Sequence, residues 1–373
     1  MNSFIPLAKP VFGSTEKKLV NNCLNTGWIS SIGSYVEEFA VKLAKFVGVK
    51  YALSVGNGTA ALHLALIALG IGSGDEVIVP ALTFVASANA ITYTGAKAVF
   101  VDIEPQTYNL DINKIEAKIT SKTKAIMTVD LYGHPVDFDK VKAICRKYNL
   151  KLISDSAESL GSLYKGKPTG RQADISTFSF FGNKIVTTGE GGMITTNNKK
   201  YYNTAKFYRD QAKKITIHPY YHPAIGYNYA MTNLQAAVGI GQLQQLPKFI
   251  RQKRRIAQQY TKLLKNIPGV IIANEAAYAK SNYWMYSILI DKNKFGRTRN
   301  QLMAYLKTKN IETRPFFFPI PLLPAYKAYN CPQDFPATVK IASQGMNLPT
   351  FASLAEKELQ YICRVIEQFS RLV

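Results

Sequence analysis

Four β-rich runs, DEVIVP (75–80), AVFVDI (98–103), AIMTVDLYG (125–133) and KLISDSAES (151–159), alternate with stretches of helical periodicity such as residues 137–148. This alternation predicts an α/β fold built on a mostly parallel sheet flanked by helices. Ligands of such sheets bind beyond the carboxyl ends of the strands. The residues found there are therefore the first to weigh: Thr83 and Phe84 follow one run, Asp102 and Asp130 end two more, and Asp155 closes the fourth.

Upstream, Val36, Phe39, Leu43 and Phe46 repeat at helical spacing, preceded by a polar, turn-rich loop at 28–33. YALSVGNGTAALHLALIALG reads as a strand at 51–55, a turn at 56–58 and an apolar helix at 59–69. Glycines before a helix start expose unpaired N–H groups and the positive end of the dipole, which suits a phosphate. A single glycine-rich turn is equally well only a turn. Asp155 follows the apolar pair Leu152 and Ile153, so it is predicted to be partly buried and to need a partner. A helix N-cap role and a contact to a protonated ring nitrogen both satisfy that need.

The segment DISTFSFFGNKIVTTGEGGMITTN (174–197) holds two predicted strands joined by a loop with one lysine, Lys184. On its own, a lysine at a strand end is an ordinary solvated charge. Phe178, Phe180, Phe181, Ile185 and Val186 surround it in sequence and predict a desolvated amine. Burial disfavours the ammonium, and a free amine attacks carbonyls, as in a Schiff base with pyridoxal phosphate (PLP). Ser179 lies near the end of the strand before it.

Beyond a helix at 201–210 and a Tyr- and His-rich irregular segment at 213–229, the pattern predicts a helix at 233–246 and another at 247–265. The character changes near residue 250, giving an expected large domain over 1–250 and a smaller C-terminal α/β domain over 251–373. The 373 residues are 47% apolar and 19% charged, which fits a globular enzyme. No apolar run has the length of a membrane helix and the start lacks a signal-peptide core, so a cytoplasmic location is expected. The four cysteines and four histidines form no metal spacing. A net charge of +22 fits either a nucleic-acid binder or steering of an anionic cofactor and substrate. The charges are spread; the densest cluster, Arg251, Lys253, Arg254 and Arg255, reads as a solvated helix face, and no nucleic-acid motif accompanies it.

The blocks GWISSIGSYVEEFA, GNGTAALHLAL, PALTFVASANAI, DLYGHPVDFD, DSAESLG, SFFGNKIVTTGEGGM, GYNYAMTNLQAAVGIGQL, ETRPFFF and NLPTF follow in that order. With them the chain resembles the PLP-dependent sugar-nucleotide aminotransferases of fold-type I over nearly its whole length. The resemblance implies that Lys184 bonds the cofactor and moves the proton, that Asp155 pairs with the pyridine nitrogen, that Phe84 stacks on the ring and that Glu158 lies near the ring hydroxyl. It implies further that Gly58, Thr59 and Ser179 hold the phosphate and that Asn228 reaches it from the neighbouring subunit of a homodimer. Trp28, Ser30, Ser31, Glu190, Arg314 and Phe318 would face the substrate. L-glutamate is the implied donor and a 4-keto-6-deoxy sugar nucleotide the acceptor, GDP-linked first, UDP- or dTDP-linked as alternatives. Relatives that dehydrate the sugar typically replace the lysine by His. A non-catalytic basic nucleic-acid binder on the same scaffold is opposed by Lys184, Asp155 and Ser179 occurring together. Ala230 stands where many members carry Arg, and Phe318 and Pro321 stand where Tyr and His are frequent, which bears on the sugar rather than on the cofactor.

Overall fold

The computed structural model describes residues 3–214, 218 and 220–371. Part of the irregular segment at 213–229 thus lies outside the described residues. After α1 (Ser14–Thr26) and α2 (Ser34–Val47), the chain alternates through β1 (Tyr51–Val55), α3 (Gly58–Ala68), β2 (Glu76–Pro80), α4 (Ala86–Tyr93), β3 (Lys97–Val101), β4 (Thr123–Val129), α5 (Phe138–Lys147) and β5 (Lys151–Asp155). A hairpin of β6 (Leu163–Tyr164) and β7 (Lys167–Pro168) precedes β8 (Ile175–Ser179), β9 (Gly192–Thr196) and α6 (Lys199–Arg209).

Seven strands form the main sheet in the order β1-β9-β8-β5-β4-β2-β3. Pairings from β3 through β2, β4 and β5 to β8 are parallel, and β9 alone runs against its neighbours β8 and β1. The sheet is mostly parallel, as the alternation predicts. β2 is buried over its whole length and β4 from Ala125 onward, which requires near-continuous apolar or β-branched sequence. α3 is apolar on nearly all sides because it lies between the sheet and other helices, burying Leu62, Leu64 and Leu66. Since β1, β2, β4, β5 and β8 point the same way, their carboxyl ends share one edge.

The two helices expected at 233–246 and 247–265 are one, α7 (Asn233–Leu264), with Pro247 inside. Proline there lacks the N–H that would bond the Leu243 carbonyl, a local cost of about 3 kcal/mol. Burial on both sides of it offsets that loss. Ala236, Ile240, Leu243 and Leu246 pack with α2 and the Lys184 segment, and Ile256, Ala257, Tyr260 and Leu264 pack in the C-terminal core. This second core also corrects the reading of the basic cluster as solvated. Lys253 is buried, its ammonium donating to the Thr350 carbonyl, and Arg254 pairs with Glu275 at 2.7 Å.

The C-terminal part comprises β10 (Val270–Ile272), β11 (Ala279–Lys280), β12 (Tyr286–Ile290), α8 (Lys292–Phe295), α9 (Arg299–Thr308), β13 (Arg314–Pro315), α10 (Pro336–Gln344), β14 (Gly345–Leu348) and α11 (Glu356–Arg371). Its sheet, β10-β12-β14-β13, is wholly antiparallel. β11 instead pairs with β6 of the large unit, carrying the segment just before β12 to the edge where the parallel strands end. No described helix is long and apolar enough to cross a membrane.

Candidate active site

A cavity of about 680 Å³ opens at the carboxyl edge of the main sheet. Its lining brings together Gly58, Thr59, Phe84, Asp155, Glu158, Ser179, Lys184, Glu190 and Arg314, residues up to 256 positions apart in sequence. Their placement follows from the strand directions. Lys184 sits in the turn that reverses β8 into the antiparallel β9, pinned by Phe180 N–H to Gly191 O at 2.8 Å, Lys184 N–H to Phe181 O at 2.9 Å and Thr188 N–H to Phe180 O at 2.9 Å. Gly189 in this turn has φ +83°, a conformation that only glycine adopts without strain.

The Lys184 side chain is 13% exposed, with Nζ 3.6 Å from Glu158 Oε1 and 3.9 Å from the centre of the Trp284 ring. Burial lowers the lysine pKa, opposed chiefly by Glu158 and Asp155. The apolar neighbour that desolvates it is not the local phenylalanine run. Phe178, Phe180 and Val186 face the α2–α7 core, and Phe181 is 48% exposed. The wall is Trp284, a hundred residues later, whose ring N–H donates to the Asn183 carbonyl at 2.9 Å and whose backbone N–H donates to Asn282 Oδ1 at 2.7 Å. Nothing in the local sequence links Trp284 to Lys184.

Asp155 ends β5 and is buried. Its Oδ2 accepts from the Ser87 hydroxyl at 2.7 Å and its Oδ1 from the Ala157 N–H at 3.2 Å. The second contact resembles a cap, yet only turns follow, so the N-cap alternative falls. Glu158 Oε2 accepts from the Tyr132 N–H at 2.7 Å. Burial raises the pKa of both carboxyls, that of Glu158 to about 7. Behind them lies Asp130, also raised to about 7 by burial. Its carboxylate accepts from Ser159 Oγ at 2.6 Å, Ser156 Oγ at 3.1 Å and the Val136 N–H at 3.1 Å, which clamps the turn carrying Asp155 and Glu158. Ser87, the second residue of α4, and Asp130 are contributors whose roles sequence reasoning left unassigned.

At the other end of the cavity the side chain of Asn57 caps α3, accepting from Ala60 N–H at 2.8 Å. The first N–H groups of a helix have no partner within it, so Gly58 and Thr59 present donors to the cavity. A Cβ at Gly58 would stand 2.9 Å from Ser179 Cβ, so only glycine lets the serine hydroxyl come this close to the helix start. A pyridoxal phosphate fits these donors: an anion pocket at one end, a buried carboxylate for the pyridine nitrogen, an amine for the carbonyl, and Phe84, 55% exposed, on the open side.

The remaining expected residues are not brought to Lys184 within this chain. Trp28 is 57% exposed, with Ser30 and Ser31 beside it, on a loop held to the start of α7 by Asn233, which donates from Nδ2 to Trp28 O at 2.7 Å and from its backbone N–H to Ser30 O at 2.8 Å. Two residues on, Gln235 Nε2 donates to Glu190 O at 2.7 Å, so the loop and the Glu190 rim share the first turn of α7. Phe318 is 60% exposed and its neighbour Phe317 lines the cavity instead. Pro321 is buried in the turn at Ile320–Leu322. Asn228 is exposed on the segment where Asp210 and Asn228 bridge, and Ala230 bridges Val55.

GDP-perosamine synthase of Escherichia coli O157:H7 is 47% identical over 367 residues, covering 98% of each chain, and that of Caulobacter vibrioides is 42% identical over 365 residues, again 98% of each. A Streptococcus pneumoniae chain described as a sugar aminotransferase, solved in its PLP form, superposes with a TM-score of 0.93 at 29% identity over 99% of both chains. The model of the DegT/DnrJ/EryC1/StrS aminotransferase family matches residues 10–367, and the chain belongs to that family.

Proposed function

We propose that the chain is a PLP-dependent aminotransferase that moves the amino group of L-glutamate to C4 of GDP-4-keto-6-deoxymannose, giving GDP-perosamine. The observation that carries the reading is the desolvated Lys184 amine set against the buried pair Asp155 and Glu158 in one cavity. Full-length relatives at 42% and 47% identity that bear the name GDP-perosamine synthase support the GDP-linked acceptor.

Bound PLP supplies a carbonyl that carries the amino group between substrates and a ring that withdraws electrons from the substrate carbon. Asp155, held by Ser87 and Ala157, keeps a charge facing the ring nitrogen. Gly58, Thr59 and Ser179 take the phosphate. Lys184, its pKa lowered by burial, takes the proton from the donor's α-carbon and returns one to the sugar's C4. Glu158 stays beside the Lys184 amine, its Oε1 3.6 Å from Nζ. Phe84 and Phe317, with ring centres 5.8 Å apart, cover the open side and exclude water. Asn228 and the exposed rim face a second copy of the chain in a homodimer, where Asn228 reaches the partner's phosphate end.

The test is turnover with L-glutamate and the GDP-, UDP- and dTDP-linked 4-keto-6-deoxy sugars side by side. The GDP-linked acceptor is expected to be used best; its being the poorest of the three would sink the GDP assignment and leave the aminotransferase chemistry standing.

A further inference from the structure

The only ionisable residue of α3 is His63, 4% exposed and unused by the chemistry at Lys184. Its ring centre lies 4.9 Å from that of Tyr227 and 6.1 Å from that of Tyr229, both edge-on, and 5.8 Å from that of Tyr93 in α4. His63 Nδ1 and the Tyr229 hydroxyl share a hydrogen bond at 3.4 Å, while among the described residues Nε2 has no hydrogen-bond partner. Burial lowers the pKa of the imidazole, so the ring meets the tyrosines neutral. A buried polar atom left unmatched costs about 1–3 kcal/mol, a cost that a leucine in this place would not carry. What distinguishes the histidine from a leucine here is its hold on Tyr229.

The two tyrosines flank Asn228. Residues 227–230 run extended over the ends of α6 and β1: Tyr227 N–H donates to Tyr208 O at 2.8 Å, Tyr229 N–H to Arg209 O at 3.2 Å and Gly56 N–H to Tyr229 O at 2.7 Å. Side chains alternate along such a segment. Tyr227 and Tyr229 therefore share one face, where their rings stack at 4.9 Å and 19°, and Asn228 takes the other. Since Tyr229 lines the cavity of its own chain, the alternation turns Asn228 away from that cavity, and Asn228 is exposed. Backbone bonds alone do not choose the register, because a slip by one residue would exchange the two faces and turn Asn228 inward. Only one register sets both tyrosines on the His63 ring.

We propose that His63 is a positioning residue that acts across the subunit boundary: by gripping Tyr227 and Tyr229 it fixes the register that presents Asn228 to the second copy, a role that rests on the homodimer reading above. Loss of His63 then weakens the phosphate end of the other chain's cavity and spares the cavity of its own chain. A histidine that merely filled the core of α3 would do the opposite, because α3 begins at Gly58 and Thr59 in the lining of its own cavity.

The experiment uses heterodimers of two differently tagged chains of which only one keeps Lys184, so that the visible band of the lysine-bound cofactor reports a single site as PLP is titrated. The reference is Lys184→Ala paired with wild type. In the first test, Lys184→Ala is on one chain and His63→Ala on the other. The competent site then receives Asn228 from a chain whose His63 is intact, and half-saturation by PLP is expected within about twofold of the reference. In the second, both substitutions are on one chain and the other is wild type; half-saturation is expected to rise about tenfold, as for the loss of one hydrogen bond to a charged group. The reverse pattern places the action of His63 within its own chain and overturns the proposal, as does equal weakening in both heterodimers or weakening in neither. Asn228→Ala is put through the same two pairings. If it weakens only the site of its own chain, the cross-subunit reading of Asn228 falls and the inference with it; if it weakens only the other chain's site while His63→Ala does not, the inference alone falls. Should His63→Ala fail to fold, Tyr227→Leu, which removes the other side of the same contact, is read by the same two heterodimers.

Discussion

At the floor of the cavity both oxygens of Asp155 and of Glu158, and the amine of Lys184, have a partner from this chain; at the rim, Trp28, Ser30, Ser31, Phe318 and Asn228 stand exposed and are none of those partners. The contrast follows from solvation. A buried charge without a partner costs several kcal/mol, so every charge of the floor must be matched while the chain folds alone. An exposed group bears no such cost, and the rim can wait for a ligand or a second copy to complete it. The account therefore separates by experiment into a cofactor half that one chain determines and a substrate half that it does not.

The largest expected effect lies on the floor. Lys184→Ala should lose turnover by at least about 10⁴-fold and be unable to form the visible band of the lysine-bound cofactor, because among the described residues no other amine lines the cavity. Retained turnover would remove the central role of this residue. Next comes Asp155→Ala, which leaves the bound ring nitrogen without its counter-charge; PLP affinity is expected to fall about 100-fold or more in a fluorescence titration. Ser87→Ala, removing one hydrogen bond to that carboxylate, should cost about 1 kcal/mol of the same affinity, and an effect as large as that of Asp155→Ala would mean that Ser87 itself meets the cofactor.

Rim substitutions should behave differently in kind. Glu190→Gln or Trp28→Ala is expected to raise KM for the sugar nucleotide about tenfold with the cofactor band unchanged, since among the described residues neither side chain is a hydrogen-bond or ion-pair partner of Asp155, Glu158 or Lys184. A change in the band would dissolve the distinction between floor and rim. A further effect concerns stability. In the folded apo-protein Glu158 titrates near 7, above its ordinary 4.5, so the folded chain holds a proton that the unfolded chain has lost. Its contribution to stability is present below about pH 4.5 and is lost as pH rises toward about 7. Glu158→Gln should therefore melt higher than wild type at pH 8 relative to pH 5, by on the order of 1–3 kcal/mol. An unchanged pH slope would show that Glu158 is already ionised in the apo-protein.

The same division explains what could be read from sequence. Strand direction and the lysine turn follow from local pattern: apolar β-branched runs closed by Asp130, Asp155 and Ser179 must end together if the sheet is parallel, and the structure puts them there. Trp284 was not legible, since the pairing of β11 with β6 that delivers it crosses more than a hundred residues and leaves no local periodicity. The continuity of α7 through Pro247 was hidden for a related reason, because burial in two cores outweighs a local helix breaker. Lys253 illustrates the cost of reading charge as exposure: its position in a basic run predicted solvent, and packing of α7 on the C-terminal core buried it.

The account is tested most directly by the visible absorbance of the purified protein incubated with PLP, before and after L-glutamate, with Lys184→Ala beside it. A band in wild type that L-glutamate bleaches, and that Lys184→Ala cannot form, is the predicted result. A wild type without the band would contradict the assignment of the floor to the cofactor, and a band indifferent to L-glutamate would contradict the donor.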